Sequence, residues 1–215
     1  MNSYLLITRP NHDITTNYLY YWSQKIIDEA DKKGVKTVDL RGRRANKKEF
    51  TSVINKIRPR LIVLNGHGDN KSVTGFDNEV LIEVGNNEKL LERKIAYAVS
   101  CSSAKTLGSK CIDFGTDTYI GYTDDFVFMI NETKITKPLE DKTAQLFLEP
   151  SNKIAISLLK GNSSGNSYKK SQEVFRRNIT HLLTSESSQE GKEALPYLLW
   201  DMRHQVCLGD HNAIL

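Results

Sequence analysis

Cysteine is scarce in this sequence: Cys101, Cys111 and Cys207 are an odd number with no Cys-x-x-Cys spacing. That argues against a disulfide framework and against a structural thiolate zinc site. It predicts a reducing, cytoplasmic compartment, in which the sequons at Asn131, Asn162 and Asn178 go unused. Long apolar runs are missing as well. No stretch approaches the roughly 18 residues of a membrane span. The first apolar run, Tyr4-Leu5-Leu6-Ile7, has no basic segment ahead of it, so no secretory signal is expected. Internal repeats, low-complexity tracts and linkers long enough to divide domains are also absent.

What remains is an ordinary globular balance. The chain has 215 residues, 39% of them hydrophobic and 26% charged, which predicts one domain over 1–215. The net charge of +4 is uneven, with 13 Lys+Arg against 6 Asp+Glu in residues 1–60 and 17 against 20 thereafter. The basic cluster of Arg41, Arg43, Arg44, Lys47, Lys48, Lys56, Arg58 and Arg60 reads as a solvated loop and helix face, because no nucleic-acid motif accompanies it.

Strand and helix patterns alternate from the start. Strands are expected at Ser3–Thr8, Val35–Leu40, Arg60–Asn65, Lys94–Ser100 and Thr118–Tyr122. The third and fourth are continuous apolar runs, as expected of strands buried on both faces. Helices are expected at Thr15–Lys33, where Tyr18, Trp22, Ile26 and Ala30 share a face, and at Asn46–Ile57, ended by Pro59. A hairpin over Ser72–Thr74 and Glu79–Glu83, a short helix near Glu88–Arg93 and a small-residue helix at Ser103–Lys110 follow. Residues 139–215 read as helices and a closing strand: Leu139–Leu148 and Asn152–Lys160 broken by Pro150, then Tyr168–Ser185, Glu193–Met202 and the strand Gln205–Leu208. The pattern predicts an α/β fold in three layers, a mainly parallel central sheet with helices on both faces. Functional groups in such folds gather beyond the carboxyl ends of the strands. Four segments would meet there: Asn11-His12-Asp13, Gly66-His67-Gly68, Cys101-Ser102-Ser103 and Tyr122-Thr123-Asp124-Asp125.

A His and a Cys ending two buried strands are what thiol catalysis requires, a nucleophile and a proton carrier. A helix starting at Ser103 would place Cys101 near its N-terminus, where the dipole favours the thiolate. Glycine on both sides of His67 would leave the backbone uncrowded, and the Gly68 and Cys101 N–H groups would donate to an oxyanion. The remaining His12, His181, His204 and His211 show no ligand spacing, so neither metal nor cofactor is expected. Cys111, Cys207, Trp22 and Trp200 read as core residues.

The run Leu61-Ile62-Val63-Leu64-Asn65-Gly66-His67-Gly68, with Tyr97-Ala98-Val99-Ser100-Cys101-Ser102-Ser103-Ala104 following, resembles the caspase–gingipain superfamily of cysteine peptidases. The likeness is nearest to gingipain-like and CHAT-type domains, and Val206-Cys207-Leu208-Gly209-Asp210 adds to it. It covers residues 3–125 and, weakly, the closing strand. The residues flanking Cys101 differ from the caspase pentapeptide, so the resemblance does not carry cleavage after Asp with it. It implies a caspase-like fold, a cysteine endopeptidase with a His67–Cys101 dyad, and help from Gly68 N–H at the oxyanion. It further implies a protein or peptide substrate and a regulatory partner protein, with no membrane or nucleic acid. In such families the loop after the first strand reads the residue before the scissile bond; here its only acid is Asp13, with Asp124 and Asp125 across the pocket. Cleavage after Arg or Lys is therefore expected, with self-cleavage at Lys134, Lys137, Lys169 or Lys170 in exposed loops. Asp13 also suits a helix cap. Two other readings stay open: a catalytically silent binding or scaffold module of the same fold, and a thiol amidase on small substrates.

Overall fold

The computed structural model describes residues 4–184 and 189–215; Ser3 and Ser185, at the ends of two expected elements, lie outside them. Six strands form the central sheet: β1 (Tyr4–Arg9), β2 (Lys36–Arg41), β3 (Leu61–Asn65), β6 (Ile95–Val99), β7 (Thr118–Tyr122) and β8 (Gln205–Gly209). A separate antiparallel pair, β4 (Ser72–Thr74) and β5 (Val80–Glu83), is the expected hairpin. The order in the main sheet is β2-β1-β3-β6-β7-β8, with every pairing parallel except β7 with β8. The carboxyl ends of β1, β3, β6 and β7 therefore lie along one edge, as the sequence pattern predicts.

Alternation along the strands divides the core into two. Leu5, Ile7, Leu61, Val63, Ile95, Tyr97, Val99, Ile120 and Tyr122 face one layer, which contains α1 (Ile14–Trp22), α2 (Gln24–Lys32) and α5 (Lys142–Leu159). Leu6, Ile62, Leu64, Ala96, Ala98 and Tyr119 face the other, with α3 (Lys47–Ile57) and α4 (Leu107–Asp113). The architecture is a three-layer α/β sandwich, and burial on both faces explains why β3 and β6 are uninterrupted apolar runs. Beyond it, α5 packs against α6 (Ser164–Leu182) and α7 (Gln189–His204) around Phe147, Phe175 and Leu198.

Several expectations need correction. The helix foreseen over Thr15–Lys33 is two helices, kinked at Ser23, whose hydroxyl bonds back to the Tyr20 carbonyl at 3.2 Å. Pro150 does not interrupt α5. The carbonyl it leaves without an intrahelical donor, that of Leu146, accepts from Asn178 Nδ2 at 2.8 Å, so a neighbouring helix supplies the missing bond. The small-residue helix starts at Leu107 rather than Ser103. Lys169 and Lys170 lie within α6 rather than in a loop, and Lys134 is paired with Glu140 at 3.1 Å. Those lysines are not presented as an extended chain. Among the described residues, no helix is long and apolar enough to cross a membrane.

Candidate active site

The offset that pairs Asn65 with Val99 also separates His67 from Cys101, so the two residues occupy matching places just beyond adjacent parallel strands. Contacts around the glycines tighten this juxtaposition. A Cβ on Gly68 would lie 3.1 Å from the Cys101 carbonyl oxygen and 3.0 Å from Ser100 Cβ, and one on Gly66 only 2.1 Å from the Thr74 carbonyl oxygen. Glycine is needed here because the backbone is crowded, the reverse of the open surroundings expected from sequence. The hairpin holds the turn through Thr74 N–H to the His67 carbonyl, 2.9 Å, and Asp69 N–H to the Ser72 carbonyl, 3.0 Å.

Cys101 sits on a loop laced to the end of β7. Ser102 N–H donates to the Asp124 carbonyl and Ala104 N–H to the Tyr122 carbonyl, both at 2.9 Å. Ser102 has φ 54°, a left-handed conformation uncommon outside glycine, directly after the thiol. Among the described residues, neither the Gly68 nor the Cys101 backbone N–H donates to a protein acceptor. Two free amide donors on adjoining strand ends are the raw material of an oxyanion-binding site.

The thiol differs from the sequence expectation. α4 begins at Leu107, six residues past the thiol, so its N-terminus does not follow Cys101 directly. Burial pushes the Cys101 pKa up; the Phe126 backbone opposes this, while Asp125 and Asp201 add to the rise. The resting group is a neutral thiol that needs a base before it can attack. Cys111 is fully enclosed, with its pKa pushed up to about 12 by burial, and is a core residue as expected. Cys207 is only half-buried on the edge strand, and its thiol is pushed up to about 11.

Asp13 does two things at once. Its Oδ1 caps α1, accepting from Thr16 N–H at 2.7 Å within a capping box. Its Oδ2 lies 2.6 Å from His67 Nε2. Burial raises the Asp13 pKa, but the Thr16 N–H, then His67, outweigh it, and the net shift is downward. An ionised Asp13 accepting from Nε2–H leaves Nδ1 as the imidazole nitrogen free to exchange a proton. Both carboxylate oxygens expected at the base of a specificity pocket are thus already engaged. Asp124 and Asp125 do stand at the site: Ser102 Oγ is 3.4 Å from Asp125 Oδ1, and Asp124 Oδ1 accepts from Asp125 N–H at 2.9 Å.

Two contributors were not foreseen. Asp201, on α7, is fully buried; its Oδ1 accepts from Val127 N–H at 3.0 Å, while Oδ2 has no partner among the described residues. Burial drives its pKa well up, against the opposing Val127 N–H. It shares one α7 face with Ala194 and Leu198, both buried, and an acid on an apolar stripe was the available signal. Trp200, expected in the core, is 41% exposed and donates its Nε1–H to the Asp125 carbonyl at 3.0 Å. The second surprise is His12, which joins Asp13 and His67 so that one ligating atom of each lies within 4.8 Å of the others. The histidines are not all scattered, because the loop after β1 lies over the His67 turn.

No protein-family model matches the chain, and neither does any curated protein.

Proposed function

We propose that the protein is a cysteine endopeptidase with a His67–Cys101 dyad, of the caspase–gingipain kind, cleaving a protein partner after Arg or Lys in the cytoplasm. The observation that carries the reading is the register. His67 and Cys101 stand at matched positions past β3 and β6, beside two amide donors without a protein acceptor. In this reading His67 Nδ1 takes the proton from the neutral Cys101 thiol as sulfur bonds to the scissile carbonyl carbon. The Gly68 and Cys101 N–H groups hold the oxygen that becomes negative. His67 then gives that proton to the leaving amine as the C–N bond breaks, and water hydrolyses the thioester. Asp13 acts as a positioning residue, keeping the imidazole in the tautomer that points Nδ1 at the reaction.

The preference for a basic side chain rests on Asp125, the exposed carboxyl whose field reaches the Cys101 thiol, and on the exposed Trp200 ring that donates to its backbone carbonyl. Carboxylates and an aromatic face both favour a cation. Three unpaired cysteines suit a reducing compartment. The closing strand β8, running into Gly209-Asp210, supports the family likeness.

The test is a positional scanning peptide library with the wild type and the Cys101→Ala variant. Hydrolysis after Arg or Lys, lost in the variant, is the expected result. Equal turnover by the two proteins refutes the dyad, and wild-type preference for Asp or Leu refutes the specificity.

A further inference from the structure

A buried histidine with nothing to bond is an expensive feature. The His12 side chain is only 10% exposed, and neither ring nitrogen has a hydrogen-bond partner among the described residues. Each polar atom left in that state has lost its water without a replacement bond, and an ion is one of the standard explanations. Its ring is fixed edge-on to Phe76, with centroids 5.4 Å apart, and to His67 at 6.0 Å. Its Nε2 faces Asp13 Oδ2 at 3.4 Å, at an angle unsuited to a hydrogen bond, and the same oxygen lies 2.6 Å from His67 Nε2.

We infer that His12, Asp13 and His67 form a binding site for Zn²⁺ that holds the proposed peptidase inactive. Two imidazole nitrogens and a carboxylate oxygen around one open position suit this borderline cation. Bonds of about 2.0–2.1 Å in a tetrahedron put ligand atoms about 3.3 Å apart. The Asp13 oxygen already lies 3.4 and 2.6 Å from the two nitrogens, and all three atoms fall within 4.8 Å. Asp13 keeps Oδ1 on the α1 cap while Oδ2 ligates, so the metal does not cost the helix its start.

The inhibitory half of the inference rests on the dyad proposed above; the binding half does not. Zn²⁺ on His67 Nε2 displaces the proton now shared with Asp13. The neutral imidazole must then carry its hydrogen on Nδ1. That nitrogen can no longer accept a proton from Cys101, and hydrolysis stops without any metal–sulfur bond.

The experiment titrates Zn²⁺ against a chromophoric chelator for wild type, Cys101→Ser and His12→Phe, the last keeping an apolar ring against Phe76. Wild type and Cys101→Ser should bind one equivalent with equal affinity, and His12→Phe should bind at least about tenfold more weakly. Co²⁺ in the wild type should show tetrahedral d–d bands with no thiolate charge-transfer band. In the peptide assay, His12→Phe should need a correspondingly higher Zn²⁺ concentration for half-inhibition, measured against its own metal-free rate. No binding by wild type, undiminished binding by His12→Phe with a native circular dichroism spectrum, or a thiolate band with Co²⁺ would each overturn the site. Zn²⁺ binding in a protein that cleaves no peptide would refute the peptidase reading and leave the metal site standing.

Discussion

The two ends of the central sheet use polar groups in opposite ways. At the amino ends of β1, β3 and β6 lies a cavity of about 1050 Å³, rich in cations: Arg58, Arg60, Lys89, Arg93 and Lys94. Two of these cations are consumed locally. The Arg60 guanidinium bonds to Asp117 and to the carbonyls of Arg93 and Ile214, and Lys94 donates to the Glu92 carbonyl. At the carboxyl ends there is a crowded seam instead, where Gly66 and Gly68 let three backbone segments touch. There the polar groups are unspent: two amide N–H groups, both nitrogens of His12 and a carboxyl oxygen of Asp201 lack protein partners among the described residues. The cavity therefore lies where Arg60 ties the C-terminal segment down, and the candidate chemistry lies at the opposite ends of the strands, among these unpaired groups.

The sharpest way to break this contrast is one substitution at each end. Gly68→Ala drives a methyl against the Ser72 and Cys101 carbonyls and separates the two strand ends. It should lower kcat by about 10²–10³ with little change in KM, the scale seen when an oxyanion donor is lost. Arg60→Gln should lower Tm by several degrees and leave kcat/KM unchanged, since it loses charged hydrogen bonds worth about 1.5–3 kcal/mol. Steady-state kinetics and calorimetry on both variants decide the matter. Equal kinetic damage from the two would erase the distinction between the ends.

Asp13→Asn sharpens the contrast inside the site. Asparagine caps a helix about as well as aspartate, so stability at pH 7 should change little, while kcat falls on the order of tenfold or more as His67 loses its ionic partner. The fall should be the same for Arg, Lys and Leu peptides; a loss confined to Arg and Lys would return Asp13 to the specificity pocket. The folded-state pKa of Asp13 lies below its ordinary 3.8. Its stabilisation is therefore complete above that value and fades as pH falls through the lower folded one. The variant should lack that acid limb in a plot of Tm against pH.

The smallest effect is expected at Asp201. Its folded pKa is raised, so as pH climbs above the ordinary 3.8 the unfolded chain gains by ionising and stability declines until the folded group also ionises. Asp201→Asn removes that decline. Its Tm should exceed wild type near pH 7, with the gap closing toward pH 4 as the unfolded carboxyl protonates. A gap that does not change with pH would mean that Asp201 is ionised in the fold.

Much of this was legible in the chain itself. Apolar runs at residues 61–64 and 95–99 specify doubly buried strands, because only a strand covered on both faces needs no polar alternation. Their ends name His67 and Cys101 directly, and the three-layer α/β class follows from the alternation of strands with helices. Pro150 misled because proline breaks a helix only when nothing else satisfies the freed carbonyl, and Asn178 satisfies that of Leu146 from 32 residues away. The helix after Cys101 was placed too early because the Ser103–Thr106 turn has the small polar residues of a helix start without the helix.

Local sequence determined which segments are buried, which strands are central and which reactive side chains stand at their ends, since periodicity records burial and little else. Only the tertiary structure decided which groups meet there. Asp13 reaches His67 across 54 residues, His12 is buried beside them, Ser102 is held in a left-handed turn, and Asp201 is carried in from α7. Each depends on how a loop lies over a neighbouring strand, a long-range contact that leaves no period in the chain.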